Sequence, residues 1–318
     1  MNIRTFIFTF TLMLLANNLN AKQPLVLKKG KNIHIAVIDT GIDPDHPLFK
    51  NKLMVGNKKV GSIGAYGVDF SKNAHSPELP YDEHGHGTHI AGIIARFAPG
   101  AKLHVLKYYN PRATGEENLE STIKALNYAV NLGVDIINYS SGGPEKSPIE
   151  MAILKKAQKK GIIIVSAAGN ESRNIDIEGN EFFPASYRFK NLITVGAHDK
   201  NENLIRSSNW GKRSVDLLAP GKNIKSTLPN GRYGYLTGTS RSTAFVSATV
   251  AKILNKSKRK IGVKSIKKIL SKGSKKLSQL NKKCLSGGIL DMNKSLSLIS
   301  PEQKETIPGN IIYRVSQQ

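Results

Sequence analysis

Apolar residues along this 318-residue chain fall into short blocks of two kinds. Nearly continuous runs, rich in β-branched residues, occur at Ile33 to Ile38, Leu103 to Lys107, Val134 to Tyr139, Ile162 to Ser166 and Leu192 to Ala197. Runs of that length predict strands covered on both faces, as in a parallel sheet. Between them, apolar positions three and four residues apart predict helices over Leu119 to Asn131, Ile149 to Lys160 and Ser240 to Leu254, with a shorter helical stretch from His89 to Ala95. Val215 to Leu218 predicts one more strand, and Pro229-Asn230-Gly231 reads as a hairpin turn between two others. Strand alternating with helix predicts an α/β fold, a three-layer, mostly parallel twisted sheet with helices on both faces. No internal repeat interrupts the pattern.

The two ends depart from it. Met1 to Arg4 is charged, Thr5 to Ala16 is apolar and Asn17 to Ala21 ends on a small residue, the order of a secretory signal peptide. The expected organisation is a signal peptide over 1–21, one domain over 22–299 and a C-terminal tail over 300–318. The chain is then exported, to the periplasm or beyond the cell, with a retained N-terminal anchor as the lesser alternative. The apolar stretch is too short for a comfortable membrane span, which takes about 20 residues. Cys284 is the only cysteine, so the fold has no internal disulfide and rests on its core.

Three polar residues stand in settings that hold them still. Asp39 ends an apolar run and precedes Thr40-Gly41, which puts a carboxylate at the carboxyl end of a buried strand, where open α/β sheets place their sites. His86 lies between Gly85 and Gly87 and opens an apolar helical stretch. Ser240 follows Gly238-Thr239 and opens another, so its N–H points from a helix N-terminus toward developing negative charge. A serine hydroxyl becomes a nucleophile when an imidazole takes its proton, and the imidazole needs a carboxylate to fix its tautomer and stabilise its charged form. Acid, base and nucleophile together suit acyl transfer to water. Taken singly, each has a plainer reading as a turn former, a surface turn or a helix N-cap. Asp82, His84, His86 and His89 also have the short spacing of zinc ligands. No His-Glu-x-x-His pattern is present, which makes a metal the lesser reading of that region.

Ile35-Ala36-Val37-Ile38-Asp39-Thr40-Gly41, His86-Gly87-Thr88-His89-Ile90-Ala91-Gly92 and Gly238-Thr239-Ser240 resemble, in this order, the blocks of the subtilisin-like serine proteases, the subtilases of family S8. The resemblance spans nearly the whole chain after the signal and includes the pattern Asp82-x-x-Gly85-His86-Gly87-Thr88-His89, which implies no metal there and Asp82 as a support for the histidine loop. It implies a serine endopeptidase acting on proteins or peptides, with Asp39 orienting the base, His86 as base and acid, and Ser240 as nucleophile. Ala167-Ala168-Gly169-Asn170 resembles the block whose Asn amide completes the oxyanion hole, which assigns that part to Asn170. Ser140-Ser141-Gly142-Gly143 resembles the edge that pairs with substrate backbone, which makes Ser140, Ser141 and Gly142 substrate-binding. Glu171 either lies near the pocket and favours a basic residue, or is a solvated turn residue. The competing expectation from another class is a catalytically silent relative that binds proteins or anionic polymers in the same groove.

Four departures from the family pattern qualify the resemblance. Only about ten residues separate the signal from the first core strand, too few for the folded prosegment of many relatives. Gly92 to Leu103 is short where relatives insert a calcium-binding loop, and His46-Pro47-Leu48-Phe49 replaces an acidic ligand, so the major structural calcium site is expected to be absent and no cofactor is expected. Arg241-Ser242-Thr243-Ala244 follows the nucleophile where Met-Ala-Ser-Pro is commonest, and alanine in place of proline restores a backbone donor. Net charge is +24, and residues 252–283 carry many lysines with no acid among them. That segment reads as helical and self-repelling, either a solvated face or an attachment to an anionic surface. Nucleic acid is not an expected partner, since no aromatic-interleaved basic motif appears. A monomer is expected.

Overall fold

The computed structural model describes residues 32–299 apart from 56–57, 60–65, 75, 77–78 and 260, so the expected signal and tail lie outside the described residues. In chain order the strands are β1 (His34–Asp39), β2 (Met54–Val55), β3 (Lys58–Lys59), β4 (Val68–Asp69), β5 (Lys102–Lys107), β6 (Ile136–Tyr139), β7 (Ile163–Ala167), β8 (Leu192–His198), β9 (Leu217–Pro220), β10 (Ile224–Leu228), β11 (Arg232–Leu236), β12 (Lys275–Lys276) and β13 (Gly288–Ile289). The helices are α1 (His86–Phe97), α2 (Gly115–Leu132), α3 (Pro148–Lys159), α4 (Thr239–Lys256), α5 (Val263–Gly273) and α6 (Met292–Ser297). Each element expected from the apolar pattern is present, with ends shifted by a few residues. α2 starts earlier than its apolar stripe because Thr114 and Glu117 form a reciprocal capping box ahead of it.

Among the described residues the main sheet has the order β12, β13, β9, β8, β7, β6, β1, β5, β4. Its pairings are parallel except that of β12 with β13. β1 is buried at every position, which is why its sequence shows no polar alternation. Its two neighbours are β5 and β6, so the chain winds outward from β1 in both directions and the strand order reverses there. Such a reversal opens a crevice at the carboxyl ends of the strands, and Asp39 is the last residue of β1.

α1 and α4 cover one face of the sheet, packed on each other over a core that includes Ile35, Val37, Ile90, Ile94, Val165 and Val250. α2 and α3 cover the other face over Ile38, Leu126, Val130, Leu154 and Ile164. The β10–β11 hairpin, with its turn at Asn230-Gly231, lies against α1.

The lysine-rich segment is not one helix. α4 stops at Lys256, Lys258 and Arg259 take positive φ values of 52° and 59°, and the chain restarts as α5 and then β12. Breaking the helix separates like charges and lets many of them find internal partners. Lys256 donates to Leu296 O, Lys267 pairs with Asp216, Lys275 pairs with Glu202, and Lys283 lies 3.4 Å above the Trp210 ring.

Two imidazoles face each other across β1 and β5, His34 Nδ1 lying 2.9 Å from His104 Nε2. Asp135, itself paired with Arg259, accepts from the His34 N–H. Burial pulls the His104 pKa down to about 3, and burial also lowers that of His34. The unfolded chain therefore binds protons below its ordinary histidine pKa near 6.5 that the folded chain refuses, so this contribution is complete above that pH and lost as pH falls. The cost is about 1.4 kcal/mol per pH unit for each such histidine. We expect the urea midpoint to fall between pH 7 and pH 5, with the His104 ring still neutral by NMR at the lower pH. A His104 titration centred near 6.5 would contradict the packing described.

Candidate active site

The carboxylate at the end of β1 and the imidazole at the start of α1 form a direct pair, with His86 Nδ1–H donating to Asp39 Oδ1 at 2.6 Å. Asp39 is buried, and its Oδ1 also accepts from the Thr40 N–H at 2.9 Å. A proton on Nδ1 leaves Nε2 as the unprotonated nitrogen of the neutral ring. The approach depends on Gly87, where an added Cβ would lie 2.3 Å from the Gly41 carbonyl oxygen. Only glycine lets the first turn of α1 come this close to the turn after β1.

Asp82 holds that junction and is wholly buried. Its Oδ1 accepts from Thr40 Oγ1 at 2.8 Å, His84 N–H at 3.1 Å and Gly85 N–H at 2.8 Å. Its Oδ2 accepts from Thr88 N–H at 2.8 Å and Thr88 Oγ1 at 2.6 Å. Thr40 Oγ1 in turn accepts from the Gly87 N–H. The expectation that Asp82 supports the histidine loop is met, and the donors take the lone pairs that a metal would require. His89 is withdrawn from any ligand set as well. It is buried with Nε2–H shared between Ile224 O at 3.0 Å and Gly234 O at 3.3 Å, and burial, aided by the nearby Arg241 charge, lowers its pKa to about 4.

Ser240 sits in the first turn of α4. The N–H before it, of Thr239, donates to Asn170 Oδ1 at 2.9 Å, and the one after it, of Arg241, donates to Gly238 O. The Ser240 N–H, in the first turn of the helix, has no acceptor among the described residues. Asn170 follows β7 and Gly169, whose φ of 98° makes the turn that presents it. With its oxygen committed to Thr239, the Asn170 amide presents Nδ2 as a free donor near the Ser240 N–H.

Ser140, Ser141 and Gly142 follow β6 and form an edge beside Ser240. Ser140 Oγ accepts from Asn138 Nδ2 at 2.7 Å, and Asn138 Oδ1 accepts from Ser247 Oγ of α4 at 2.9 Å. Gly143 exchanges two backbone hydrogen bonds with Phe183 on the other side. A cleft of about 770 Å³ runs along this edge, lined in part by Tyr108, Leu119, Gly142, Pro144 and Phe183. The Ser240 hydroxyl donates to the Ser140 carbonyl at 3.1 Å.

One residue of the site has no sequence signal. Asn209 is wholly buried, donates Nδ2 to Ala168 O and Glu171, and accepts at Oδ1 from the Glu171 and Arg173 N–H groups. It fixes the 168–173 loop from about forty residues away, a link that only folding creates. One oxygen of the exposed Glu171 carboxylate accepts from Asn209. Ala244, at the position where relatives have proline, is fully buried within α4.

Replacing Asp82 by Asn puts amide donors against backbone donors in a dry site. We expect Asp82→Asn to cost about 3 kcal/mol of stability and to release the hydrogen-exchange protection of the Gly85 and Thr88 amides. Unchanged protection would show that the junction does not depend on the carboxylate.

Comparison with known proteins agrees with this geometry. The Subtilase family model matches residues 30–287. The chain is 40% identical over 234 residues to the major intracellular serine protease of Bacillus subtilis, covering 71% of this chain and 69% of that protein. It is 35% identical over 236 residues to subtilisin E of the same organism, covering 71% of this chain and 56% of that protein. The solved structure of the epidermin leader peptide processing serine protease of Staphylococcus aureus superposes with a TM-score of 0.69 at 25% identity, over 86% of this chain and 76% of that one. The fold is thus subtilisin-like, and the chain belongs to the Subtilase family of serine-type peptidases.

Proposed function

We propose that the chain is an exported serine endopeptidase in which Ser240, His86 and Asp39 carry out acyl transfer to water. The observation that carries the reading is the Asp39–His86 pair, which reserves His86 Nε2 for the serine proton. Ser240 Oγ bonds to the scissile carbonyl carbon as Nε2 takes its proton. The oxyanion formed is received by the Ser240 N–H and Asn170 Nδ2. His86 returns the proton to the leaving amine, the C–N bond breaks, and water repeats the sequence on the acyl-enzyme.

The resting hydroxyl bond to Ser140 O fits this scheme. A substrate backbone N–H docking on the 140–142 edge takes the same carbonyl, and the displaced hydroxyl turns to His86. Apolar side chains on the acyl side suit the part of the cleft walled by Tyr108, Leu119, Pro144 and Phe183, with Glu116, Glu145 and Lys146 also in its lining.

The export part rests on residues 1–21 alone. For the anionic partner suggested by 252–283, the support is Lys264, Lys268 and Lys272, exposed at four-residue spacing on α5, with Lys258 and Lys282 also exposed. Lys252, Lys256, Lys267 and Lys276 donate to groups of the chain itself.

A serine-directed phosphonate probe should label the wild-type chain and leave Ser240→Ala unlabelled. Asn170→Ala should lower kcat by a factor of about 10² to 10³ with little change in KM. A folded wild-type chain that takes no label overturns the peptidase reading in favour of a silent binding protein. For export, N-terminal sequencing of protein from the periplasm or medium should begin at Lys22, and intact Met1 in the cytoplasmic fraction would refute it.

A further inference from the structure

Arg241 directly follows the serine, yet nothing in the triad scheme uses it. It is 5% exposed. A guanidinium at that depth ordinarily holds a carboxylate or several carbonyls, because an unpaired buried charge costs several kcal/mol. Here Nε has no hydrogen-bond partner. Burial lowers the pKa to about 10, and the only charge acting to raise it is Asp39, whose Oδ1 already receives His86 and Thr40. The cation is buried and short of an anion.

Its position says which part of a substrate meets it. A Cβ built on Gly238 would lie 3.4 Å from Arg241 Nη1 and 3.3 Å from Asn170 Oδ1, so the guanidinium borders the wall made by these two residues. Ser240 has two flanks. On one, its hydroxyl reaches the Ser140 carbonyl, the start of the acyl-side edge. The other we take as Gly238, two residues before the serine and just past β11, with the guanidinium against it. A peptide whose acyl side lies on 140–142 sends its leaving segment past the second flank. Docking there removes the remaining water from Arg241, so a neutral leaving residue buries the cation unpaired while a carboxylate pairs it, with two N–H donors available to two oxygens.

We propose that Arg241 makes the site select substrates that carry a carboxylate on the first residue of the leaving segment. That group is either an Asp or Glu side chain or the terminal carboxylate of a single departing amino acid. The inference rests on the peptidase reading above and adds a specificity that the triad does not contain. A chain of net charge +24 attracts acidic peptides at any position, so the prediction concerns placement and not overall charge.

The test uses the full chain and two peptides of identical composition, with Glu as the first or the fourth leaving-side residue and Ala at the other position. We expect kcat/KM to favour Glu-first about tenfold, to hold in about 0.5 M salt because the pair is shielded, and to fall to near parity in Arg241→Met and Arg241→Gln. A second pair, with a lone leaving Ala ending in a free carboxylate or an amide, separates the two sources. Equal kcat/KM for both placements in the wild type overturns the proposal without need of a variant. A tenfold preference that survives in both variants overturns the assignment to Arg241. If the wild type cleaves neither peptide, the same comparison of Kd on Ser240→Ala decides the matter: tighter binding of Glu-first supports it and equal affinity refutes it. Failure of phosphonate labelling, by contrast, bears on the peptidase reading alone.

Discussion

The close approach of α1 to the end of β1 is the constraint on which the rest depends. Two segments 47 residues apart must meet at backbone contact for His86 to reach Asp39, and two features permit it. Gly87 leaves room for the Gly41 carbonyl. Asp82 then ties both segments with one buried carboxylate, accepting from Thr40 on the β1 side and from His84, Gly85 and Thr88 on the α1 side. A buried carboxylate is costly to desolvate, and here nearly its whole acceptor capacity is repaid by N–H and O–H groups that would otherwise be buried without partners. The Asp39–His86 pair is thus placed by the backbone of both segments.

α4 brings the second half of the site to the first by the same physics. Its start presents Ser240, and its interior reaches back through Ser247 and Asn138 to Ser140, so nucleophile and substrate edge share one support. Thr239 fixes Asn170 from the other side, which leaves the amide and the Ser240 N–H as two unspent donors in one place. Donors that are already oriented cost no reorganisation when charge develops between them. Arg241 stands out because it breaks this economy. Its Nε is a buried donor of a charged group left without a partner, beside side chains such as Asp82 and Asn138 that are fully engaged.

Much of this was legible in residue order. Continuous apolar runs gave the parallel strands, since a strand buried on both faces needs no polar alternation, and the three- and four-residue spacing marked the helices. The triad was readable because each member sits at a strand end or a helix start, places with local signatures. Asn209 and the partners of the lysine-rich segment were not readable. Asn209 acts on 168–173 across intervening strands, and whether a lysine faces water or a carbonyl depends on what folds beside it, as with Lys267 against Asp216 and Leu192 O. Glu171 read either as a pocket residue or as a solvated turn residue, and the fold adds what neither reading contained, a hydrogen bond from Asn209 to this exposed carboxylate.

The amino-acid sequence by itself determined the fold class, the order of the elements and a short set of candidate groups for the chemistry, because these depend on local periodicity and on residue types with few chemical uses. The tertiary structure decided which of those groups touch, which donors stay free and which charges lack a partner. Hydrogen bonding and desolvation depend on distances of a few tenths of an ångström between segments remote in the chain, and such distances exist only once the sheet and its two helix layers have closed around them.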